Sequence, residues 1–555
     1  MRRILIGSVA GVIALAGAAL AIAQISSSVP NAQPRAGSPP NVFANGYIAT
    51  PLAQGSDPLE NATGQYARYG YVSDHGLGSD APTSGLDTKS EPDQNTYLVT
   101  HENPGGPTAG YDYGRHFLIQ GHEIFGGANN NIDKAYLTRI NLDVTDPAHR
   151  ITLLNEPGPI VNGVQSTGIR SMDGSTYDPF TGDLLFTAEA GTFGGVISTP
   201  LRWSSTDFPG ITRYDGSIGK GGYEGIQVDS HGLLYIAEDV GGSTITEGGV
   251  NTRVKQPNSF IYRYVPDDPR DLSDGKLQAL QISVADTPIT FHPGAGARDD
   301  AFGSAIKTLH SGASLDAKWV TLHDTDVDGN APFDSNALAK SKGATPLKRP
   351  ENGRFVPDTA FASYVFDETG DTDNRGGTYV SPVDGAKASE RGAWGAMLRL
   401  DMPRAGANSG KVRTIINGDA THASFDSVTF LDKTTLLVGE DRGDTLHKQL
   451  NALDSLWSFD LTEPLSQITG DAKRLQAQGR DAEATADVNK KEASPAIPDQ
   501  NDGDNEVTGV LVSGGGSTIG GLLGRVDPAE LPGRRVFFTQ QHGENVTYEI
   551  TPAGP

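Results

Sequence analysis

The stretch Leu233-Leu-Tyr-Ile-Ala-Glu-Asp239 decides the fold, because it is the clearest copy of a pattern that recurs along the chain. A short run of β-forming residues ends in an acidic or histidine residue, and glycine follows closely. There are six copies, and the other five are Phe117–Glu123, Leu184–Glu189, Ser363–Glu368, Leu436–Asp441 and Val536–His542. Irregularly spaced strand repeats without helices between them predict an all-β fold, a β-propeller with six blades. A pair of all-β sandwiches is the alternative.

The composition of the 555-residue chain agrees with short strands joined by turns, because it contains 69 Gly and 34 Pro. We predict loop insertions and few, short helices, at Leu446–Leu453 and Asp471–Gln478. The formal net charge of −24 argues against nucleic acid or an anionic membrane as a partner. The chain contains no Cys, which excludes thiolate metal ligands and Cys nucleophiles. We expect a monomer.

The N-terminus has the pattern of an export signal over residues 1–23. Arg2 and Arg3 precede an apolar run, and Ala21-Ile22-Ala23 is a small-residue cleavage site. We therefore expect an exported protein, periplasmic or extracellular, with no stable membrane insertion after cleavage; an uncleaved anchor is the alternative. Residues 24–45 are predicted to be a linker. Residues 46–555 are predicted to form one propeller domain with a surface insertion at about 476–505.

The acidic strand ends also predict a metal site. Propeller strands converge on a central channel, so carboxylates at equivalent strand ends crowd together at one mouth and repel each other. Cations relieve that repulsion, and oxygen ligands without Cys favour hard cations, above all Ca²⁺. Zn²⁺ is disfavoured, because the sequence has no Cys pair and no His-x-x-x-His. For any single carboxylate, a solvated turn is the alternative.

Two other stretches carry candidate ligands. Arg349 and Glu351 flank Pro350, which pushes Arg349 toward extended backbone and holds a guanidinium beside a carboxylate. The alternative is a turn with a surface ion pair. Asp324-Thr-Asp326-Val-Asp328-Gly329 matches the start of an EF-hand loop, although Ser335 stands at position 12. It is either a structural calcium site or a solvated loop.

In their order along the chain, several motifs resemble the PhoX family of exported bacterial alkaline phosphatases. The most similar is Leu347-Lys-Arg-Pro-Glu-Asn-Gly353, which resembles an Arg-Pro-Glu-Asp-Gly signature. The other motifs are Gln120-Gly-His-Glu123, with Gly121 where Asn is usual, Phe186-Thr-Ala-Glu189, Ile236-Ala-Glu-Asp239, Phe425-Asp-Ser-Val428, Gly439-Glu-Asp-Arg-Gly443, Leu456-Trp-Ser-Phe-Asp460 and Asn505-Glu506-Val-Thr-Gly509. The resemblance implies a six-bladed propeller with several metals at one mouth. Those metals are calcium and, in the characterised branch, an iron pair bridged with help from a Cys that this chain lacks.

The resemblance implies a calcium-dependent phosphatase that acts on a small phosphorylated substrate. The implied metal ligands are Glu189, Asp239, Glu351, Asp441 and Glu506, with Glu123 and Glu238 as second choices. Arg349 is the implied clamp for the phosphoryl oxygens, assisted by His122 or Arg442. Two alternatives remain: a non-catalytic, calcium-stabilised secreted propeller that binds a partner, and a propeller hydrolase of another class, such as a lactonase.

Overall fold

The structure is a computed structural model of the chain. It describes residues 25, 27–33, 39–61, 68–73, 87–123, 135–154, 160–161, 164–165, 169–202, 210–480, 506–513, 535–541 and 544–553. The predicted signal peptide at 1–23 and most of the predicted insertion, 481–505, lie outside the described residues. Within those ranges no helix has the length and apolar character needed to cross a membrane.

Most of the described strands belong to antiparallel sheets. Four strands precede the first large sheet: β1 (Val42–Phe43), β2 (Tyr47–Ala53), β3 (Tyr71–Ser73) and β4 (Asp87–Lys89). Unit 1 contains β5 (Glu91–Val99), β6 (His116–Glu123), β7 (Tyr136–Asn141) and β8 (Ile151–Leu153), and a small hairpin follows with β9 (Ile160–Val161) and β10 (Val164–Gln165). Unit 2 contains β11 (Met172–Tyr177), β12 (Asp183–Ala188), β13 (Gly195–Pro200) and β14 (Thr212–Arg213).

Units 3 and 4 form one ten-stranded sheet. Unit 3 contains β15 (Tyr223–Val228) and β16 (Leu234–Glu238), then an inserted hairpin of β17 (Thr244–Glu247) and β18 (Val250–Lys255), then β19 (Ile261–Asp268) and β20 (Asp271–Val284). The short β21 (Thr287–Pro288) pairs with β20, and β22 (Leu315–Asp324) joins the outer edges of the two units. Unit 4 contains β23 (Gly353–Phe355), β24 (Ser363–Glu368), β25 (Ala396–Asp401) and β26 (Ser409–Asn417).

The last two units use both ends of the chain. Unit 5 contains β27 (Phe425–Phe430), β28 (Thr435–Glu440), β29 (Ser455–Asp460) and β30 (Lys473–Ala477), and β1 pairs with β30 at its edge. Unit 6 contains β31 (Val507–Val512), β32 (Val536–Gln540) and β33 (Val546–Pro552), and β2 completes it. The pairing of β2 with β33 therefore closes the circle with an N-terminal and a C-terminal strand.

The described residues thus contain six four-stranded antiparallel units. Their first strands, β5, β11, β15, β23, β27 and β31, contact one another in this order, and β31 returns to β5. Buried apolar side chains fill the space between neighbouring sheets, as where Leu98 of unit 1 and Phe186 of unit 2 share one cluster. The topology confirms the predicted all-β, propeller-like architecture.

Helices are few and short among the described residues, as predicted. They are α1 (Ala297–Phe302), α2 (Ser304–Leu309), α3 (Thr325–Asp328), α4 (Ser335–Ser341), α5 (Asn374–Thr378), α6 (Gly443–Leu450) and α7 (Ile468–Asp471). The helix predicted at Leu446–Leu453 overlaps α6. The helix predicted at Asp471–Gln478 is wrong, because this segment forms β30, which is held between β29 and β1.

Part of the predicted linker packs against unit 5. Ile25 is buried, and Asn31 donates a hydrogen bond from Nδ2 to the carbonyl of Leu453 at 2.8 Å. Val42–Phe43 is a strand of the unit 5 sheet. These stretches of the linker belong to the folded domain, and Val42–Phe43 covers an edge of the unit 5 sheet that would otherwise be open to pairing.

Candidate metal centre

One mouth of the ring gathers the acidic strand ends. In an antiparallel unit, the start of the first strand and the end of the second strand lie at the same edge. Both positions carry carboxylates, and the carboxylates of different units are close enough to shift one another's pKa. We call this group the acidic mouth: Asp93, Glu123, Asp173, Glu189, Glu224, Asp239, Glu351, Asp426, Asp441 and Glu506.

The first triad in the acidic mouth joins units 1 and 2. Asp93, Glu123 and Asp173 each place a carboxylate oxygen within 4.8 Å of the other two, and all three side chains are buried. Asp93 accepts hydrogen bonds from Thr508 Oγ1 at 2.5 Å and Gln541 Nε2 at 3.0 Å. Oε1 of Glu123 and Oδ1 of Asp173 are buried and have no hydrogen-bond partner among the described residues. Buried acceptors without donors are costly, so this triad is suited to a cation.

The second triad joins units 3 and 4 and contains the guanidinium. Glu224, Asp239 and Glu351 also have carboxylate oxygens within 4.8 Å of one another. Arg349 donates from Nε to Asp239 Oδ1 at 2.9 Å and from Nη2 to Asp239 Oδ2 at 2.7 Å. Its Nη2 also lies 3.0 Å from Glu351 Oε1. The guanidinium therefore bridges two of the three acids.

A third group of polar side chains lies on units 4 and 5. Asp426 accepts a hydrogen bond from Asn352 Nδ2 at 3.1 Å. The backbone that carries Glu351 and Asn352 is fixed by Asp367, whose Oδ1 accepts from the Glu351 N–H at 2.7 Å and from the Asn352 N–H at 2.9 Å. Asp367 thus orients one ligand from the second triad and one hydrogen-bond donor to Asp426.

Burial and mutual repulsion raise the pKa of eight carboxyls in the acidic mouth. Burial, followed by the charge of Asp426, raises the pKa of Asp93 to about 7. Burial raises the pKa of Asp426 to about 6. Six other carboxyls have pKa values well above their ordinary range. Burial is the largest cause, and the charges of neighbouring acids raise these pKa values further. The six are Glu123, Asp173, Glu189, Glu224, Glu351 and Glu506. A bound cation would favour the ionised form of these groups.

Local irregularities in the first strands aim the acids into the mouth. In four first strands the register shifts around the acidic residue, which is the sign of a β-bulge: Asp93, Asp173, Glu224 and Asp426. A bulge bends the strand and redirects a side chain. A Cβ on Gly174 would lie 1.9 Å from the carbonyl oxygen of Glu224, and one on Gly225 would lie 2.7 Å from that of Glu351. The glycine after each of these two acids, Asp173 and Glu224, lets the next unit approach.

Arg349 reaches Glu351 by a different backbone than predicted. Its φ is +56°, in the left-handed region, so the expected extended conformation is wrong. Neighbouring backbone holds it there, because Thr369 N–H donates to the Arg349 carbonyl at 2.8 Å and Gly370 N–H donates to that of Lys348 at 3.1 Å. The guanidinium and the Glu351 carboxylate nevertheless lie together. Left-handed backbone before Pro350 is strained, and such strain concentrates at functional sites.

Three of the residues predicted for the site point away from the mouth. His122 is fully buried, bonded through Nδ1 to Ser90 Oγ at 2.9 Å and through Nε2 to Thr138 Oγ1 at 2.8 Å. Glu238 accepts from Tyr262 OH at 2.8 Å and from Asn336 Nδ2 at 2.9 Å. We therefore correct both predictions: each side chain is part of the packing behind the mouth.

Arg442 is the third such residue. It is buried, and its guanidinium donates from Nη2 to Glu440 Oε1 at 2.7 Å and from Nε to Glu440 Oε2 at 3.1 Å. Its backbone N–H donates to Asp454 Oδ1 at 3.0 Å. The predicted role beside the phosphoryl group is corrected to an internal ion pair with Glu440.

The EF-hand-like loop forms a local turn. Asp324 caps the single helical turn α3 by accepting from the Asp326 N–H at 3.2 Å, and its carboxylate is paired with Lys276. Asp326 and Asp328 are exposed at this turn. These contacts are those of a capped surface turn.

Sequence reasoning missed Asp93, Asp173, Glu224 and Asp426 as acids of the mouth. The repeated pattern marks the ends of second strands, whereas these acids stand at the starts of first strands. A weak signal exists, because three of them precede Gly or Ser and then β-forming residues: Asp173-Gly-Ser-Thr, Glu224-Gly-Ile-Gln and Asp426-Ser-Val-Thr. His542, at the end of the sixth predicted copy, lies outside the described residues. Gln541, the residue before it, donates from Nε2 to Asp93 Oδ2.

Comparisons with known proteins give weak structural likenesses. No family model and no curated protein matches the sequence. The chain is similar to an α-L-arabinofuranosidase from Podospora anserina, with 11% identity, coverage of 72% of this chain and 96% of that chain, and a TM-score of 0.29. It is similar to a gluconolactonase from Xanthomonas campestris, with 10% identity, coverage of 84% and 97%, and a TM-score of 0.24. It is also similar to an aldose sugar dehydrogenase from Streptomyces coelicolor, with 12% identity, coverage of 65% and 94%, and a TM-score of 0.24. Scores this low carry no argument, so the fold rests on its own topology.

Proposed function

We propose that the protein is an exported, calcium-dependent hydrolase of phosphate esters, with its site in the acidic mouth. The observation that supports this most is the first triad, where two buried carboxylate oxygens receive no hydrogen bond from the described part of the chain, beside a second triad that holds Arg349. The triads suit cations, and the guanidinium suits an anionic substrate. The resemblance to the PhoX family, which comes from the sequence motifs, is consistent with this proposal.

The residues of the mouth fit a hard cation. The described acidic residues of the mouth offer carboxylate oxygens as donors. Ca²⁺ takes six to eight oxygen ligands, so these donors match its preference. The first triad and the second triad would each hold a cation, with Glu189, Asp426, Asp441 and Glu506 as further ligands. Bound calcium supplies Lewis acidity, which polarises a phosphoryl oxygen and lowers the pKa of a bound water. An iron pair bridged with the help of a Cys does not fit, because the chain has no Cys.

Arg349 would bind the substrate. Its planar fork now holds both oxygens of Asp239, the geometry with which a guanidinium also binds two oxygens of a phosphate. Asp239 belongs to the second triad as well. When Asp239 serves as a metal ligand, Arg349 gains hydrogen-bonding capacity for an anion. Charge that builds on the phosphoryl oxygens in the transition state is then stabilised by a fixed cation.

A second candidate is a non-catalytic, calcium-stabilised propeller that binds a partner. One observation favours it: Arg349 is already engaged by Asp239 and Glu351, which is how a purely structural ion-pair network is built. In this case the mouth binds calcium and stabilises the ring without turnover. A lactonase is the third outcome, and it requires no anion clamp.

The test begins with protein purified without chelator. Metal content is measured by inductively coupled plasma mass spectrometry. Turnover is measured with p-nitrophenyl phosphate and with a lactone. We expect stoichiometric calcium and phosphatase activity that chelation abolishes and Ca²⁺ restores. Calcium near zero would refute the shared premise. Full calcium with no phosphatase activity at any pH would refute the phosphatase, and lactone turnover would then decide between the two alternatives.

Two variants separate the roles of the triad and the guanidinium. Glu123→Gln removes one charge from the first triad at nearly constant volume, so we expect weaker calcium binding. Arg349→Lys keeps the charge but loses the fork, so we expect calcium to be retained and kcat/KM for the phosphate ester to fall about 100-fold. Arg213→Lys is the matched control, because Arg213 pairs with Asp215 outside the mouth, with Nε donating to the carboxylate.

A further inference from the structure

The residue before Arg349 makes a buried ion pair that the proposed chemistry does not use. Lys348 donates from Nζ to Asp371 Oδ1 at 2.9 Å and to Oδ2 at 2.8 Å. The two side chains are 1% and 0% exposed. Burying a charged pair removes both groups from water, and the cost of this desolvation can exceed the attraction between the two charges. Such a pair is therefore weak evidence for stability, and in some proteins it instead specifies a local geometry.

The same pair connects three separate segments. Besides Lys348, the backbone N–H of Lys255 also donates to Asp371 Oδ1, at 3.0 Å. Lys255 is the last residue of the inserted hairpin of unit 3. Asp371 itself lies in the long connection between β24 and β25, and its N–H donates to the Ala393 carbonyl at 3.0 Å. The pair therefore fixes Lys348 to two insertions, the hairpin of unit 3 and the connection between β24 and β25.

A second contact fixes the backbone of Lys348. Its N–H donates to Glu368 Oε1 at 2.8 Å, and Glu368 Oε2 lies 2.7 Å from His310 Nε2 in the buried interior. Arg349 follows directly, with its φ at +56°. The side chain and the backbone of Lys348 are thus both held, and the strained residue next to it cannot relax without breaking these contacts.

We propose that Lys348 and Asp371 are positioning residues, which hold Arg349 in its left-handed conformation and thereby aim its guanidinium at the second triad. This rests on the proposed function for its catalytic consequence, since Arg349 is the phosphate clamp there. The positioning itself is a geometric property of the chain. It can be measured without turnover.

The test replaces the whole pair with apolar side chains, Lys348→Met with Asp371→Leu. Removing both charges avoids leaving one buried charge unpaired, which would unfold the protein for an unrelated reason. Lys348→Gln with Asp371→Asn is the second variant, which also removes both charges and keeps hydrogen-bonding groups at the two positions. The control makes the same substitutions in a surface ion pair, Lys411→Met with Asp316→Leu. This pair is exposed, and Lys411 Nζ lies 2.7 Å from Asp316 Oδ1.

The first readout is the rate at which phenylglyoxal modifies Arg349, followed by peptide mass spectrometry. Arg213 is the internal reference, because its side chain is 27% exposed against 25% for Arg349, and each holds an aspartate. We expect faster modification of Arg349 in both pair variants, with the rate at Arg213 and both rates in the surface control unchanged. An unchanged rate at Arg349, or equal acceleration at both arginines, overturns the positioning role.

The second readout is turnover of p-nitrophenyl phosphate by calcium-loaded protein. A displaced clamp is expected to lower kcat/KM by roughly 10- to 100-fold, since small misplacements of a positioning group have effects of this size. The surface control should keep wild-type activity. Faster labelling of Arg349 with wild-type kcat/KM overturns the claim that this position matters for phosphate esters. If the wild-type protein lacks phosphatase activity, the proposed function fails, and the labelling result alone decides the positioning.

Discussion

The carboxyl of Asp93 should make the calcium-free protein less stable as the pH rises from 5 to 8. Burial, and next the charge of Asp426, raises the pKa of Asp93 to about 7 from the ordinary 3.8. Between those two pKa values the unfolded chain is ionised at this carboxyl while the folded chain keeps its proton. The folded state then binds more protons than the unfolded state, so its stability falls with rising pH and stops falling once the pH passes about 7.

The size of this effect follows from linkage. One pKa unit corresponds to about 1.4 kcal/mol, so the interval from pH 5 to pH 7 removes on the order of 3 kcal/mol through Asp93. Unfolding entropy is about 2.1 cal/mol/K per residue, which gives about 1 kcal/mol per degree for roughly 500 folded residues. The melting temperature of the calcium-free protein should therefore fall by about 3 °C through this carboxyl alone.

The assay is thermal unfolding of chelator-treated protein across this pH range, followed by circular dichroism. In the Asp93→Asn variant, the fall in melting temperature between pH 5 and pH 8 should be about 3 °C smaller than in the wild type. Asp286→Asn should keep it, because Asp286 is exposed at a φ of +64° that Asn also adopts. Burial lowers the pKa of His122, which makes stability grow as pH rises toward 6.5. That contribution is common to all three proteins and cancels in the comparison.

Calcium provides the complementary measurement. Cations and protons compete for the same carboxylates, so excess Ca²⁺ should raise the melting temperature more at pH 8 than at pH 5. Identical pH slopes for wild type and Asp93→Asn would refute the protonated, buried carboxyl. A calcium effect of equal size at both pH values would refute the competition, and with it the assignment of the cation to this mouth.

Three other substitutions test the framework around the site. Gly225→Ala should lower stability by roughly 1–3 kcal/mol and weaken calcium binding, because its Cβ would overlap the next unit, whereas Gly470→Ala, which has open space, should change neither. Arg442→Met should destabilise the fold by about 3–5 kcal/mol through buried carboxylates left unpaired, with KM for the phosphate ester unchanged in the protein that remains folded. Tyr262→Phe should lower stability by roughly 1–3 kcal/mol, measured by denaturant unfolding, because Glu238 loses a buried hydrogen bond.

The fold was predictable because its signal is local. A run such as Leu233–Glu238 indicates a strand through its side chains alone, and its recurrence indicates a repeated unit. The helix expected at Asp471–Gln478 failed for the opposite reason. Its residues take their conformation from pairing with β29 and β1, and β1 comes from the other end of the chain. The propensities of the residues themselves carry no information about a strand partner that is distant in sequence.

The acids at the ends of second strands were also predictable, whereas four of the six acids at the starts of first strands were not. Glu189, Asp239 and Asp441 follow clear β-runs, whereas Asp173 and Glu224 stand within bulges, where the two-residue alternation that marks a strand is broken. A bulge is created by pairing with a neighbour. The sequence shows an acid beside a glycine, and only the assembled sheet shows that the acid turns into the mouth.

Side-chain parity along a strand corrects two of the site predictions from the sequence alone. Successive residues of a strand face opposite sides. If Glu123 faces the mouth, His122 must face the packing between sheets, and it does so with both ring nitrogens bonded. The same rule separates Glu238 from Asp239. An acidic pair at a strand end therefore supplies one ligand and one buried support, and a metal site inferred from sequence should count each pair once.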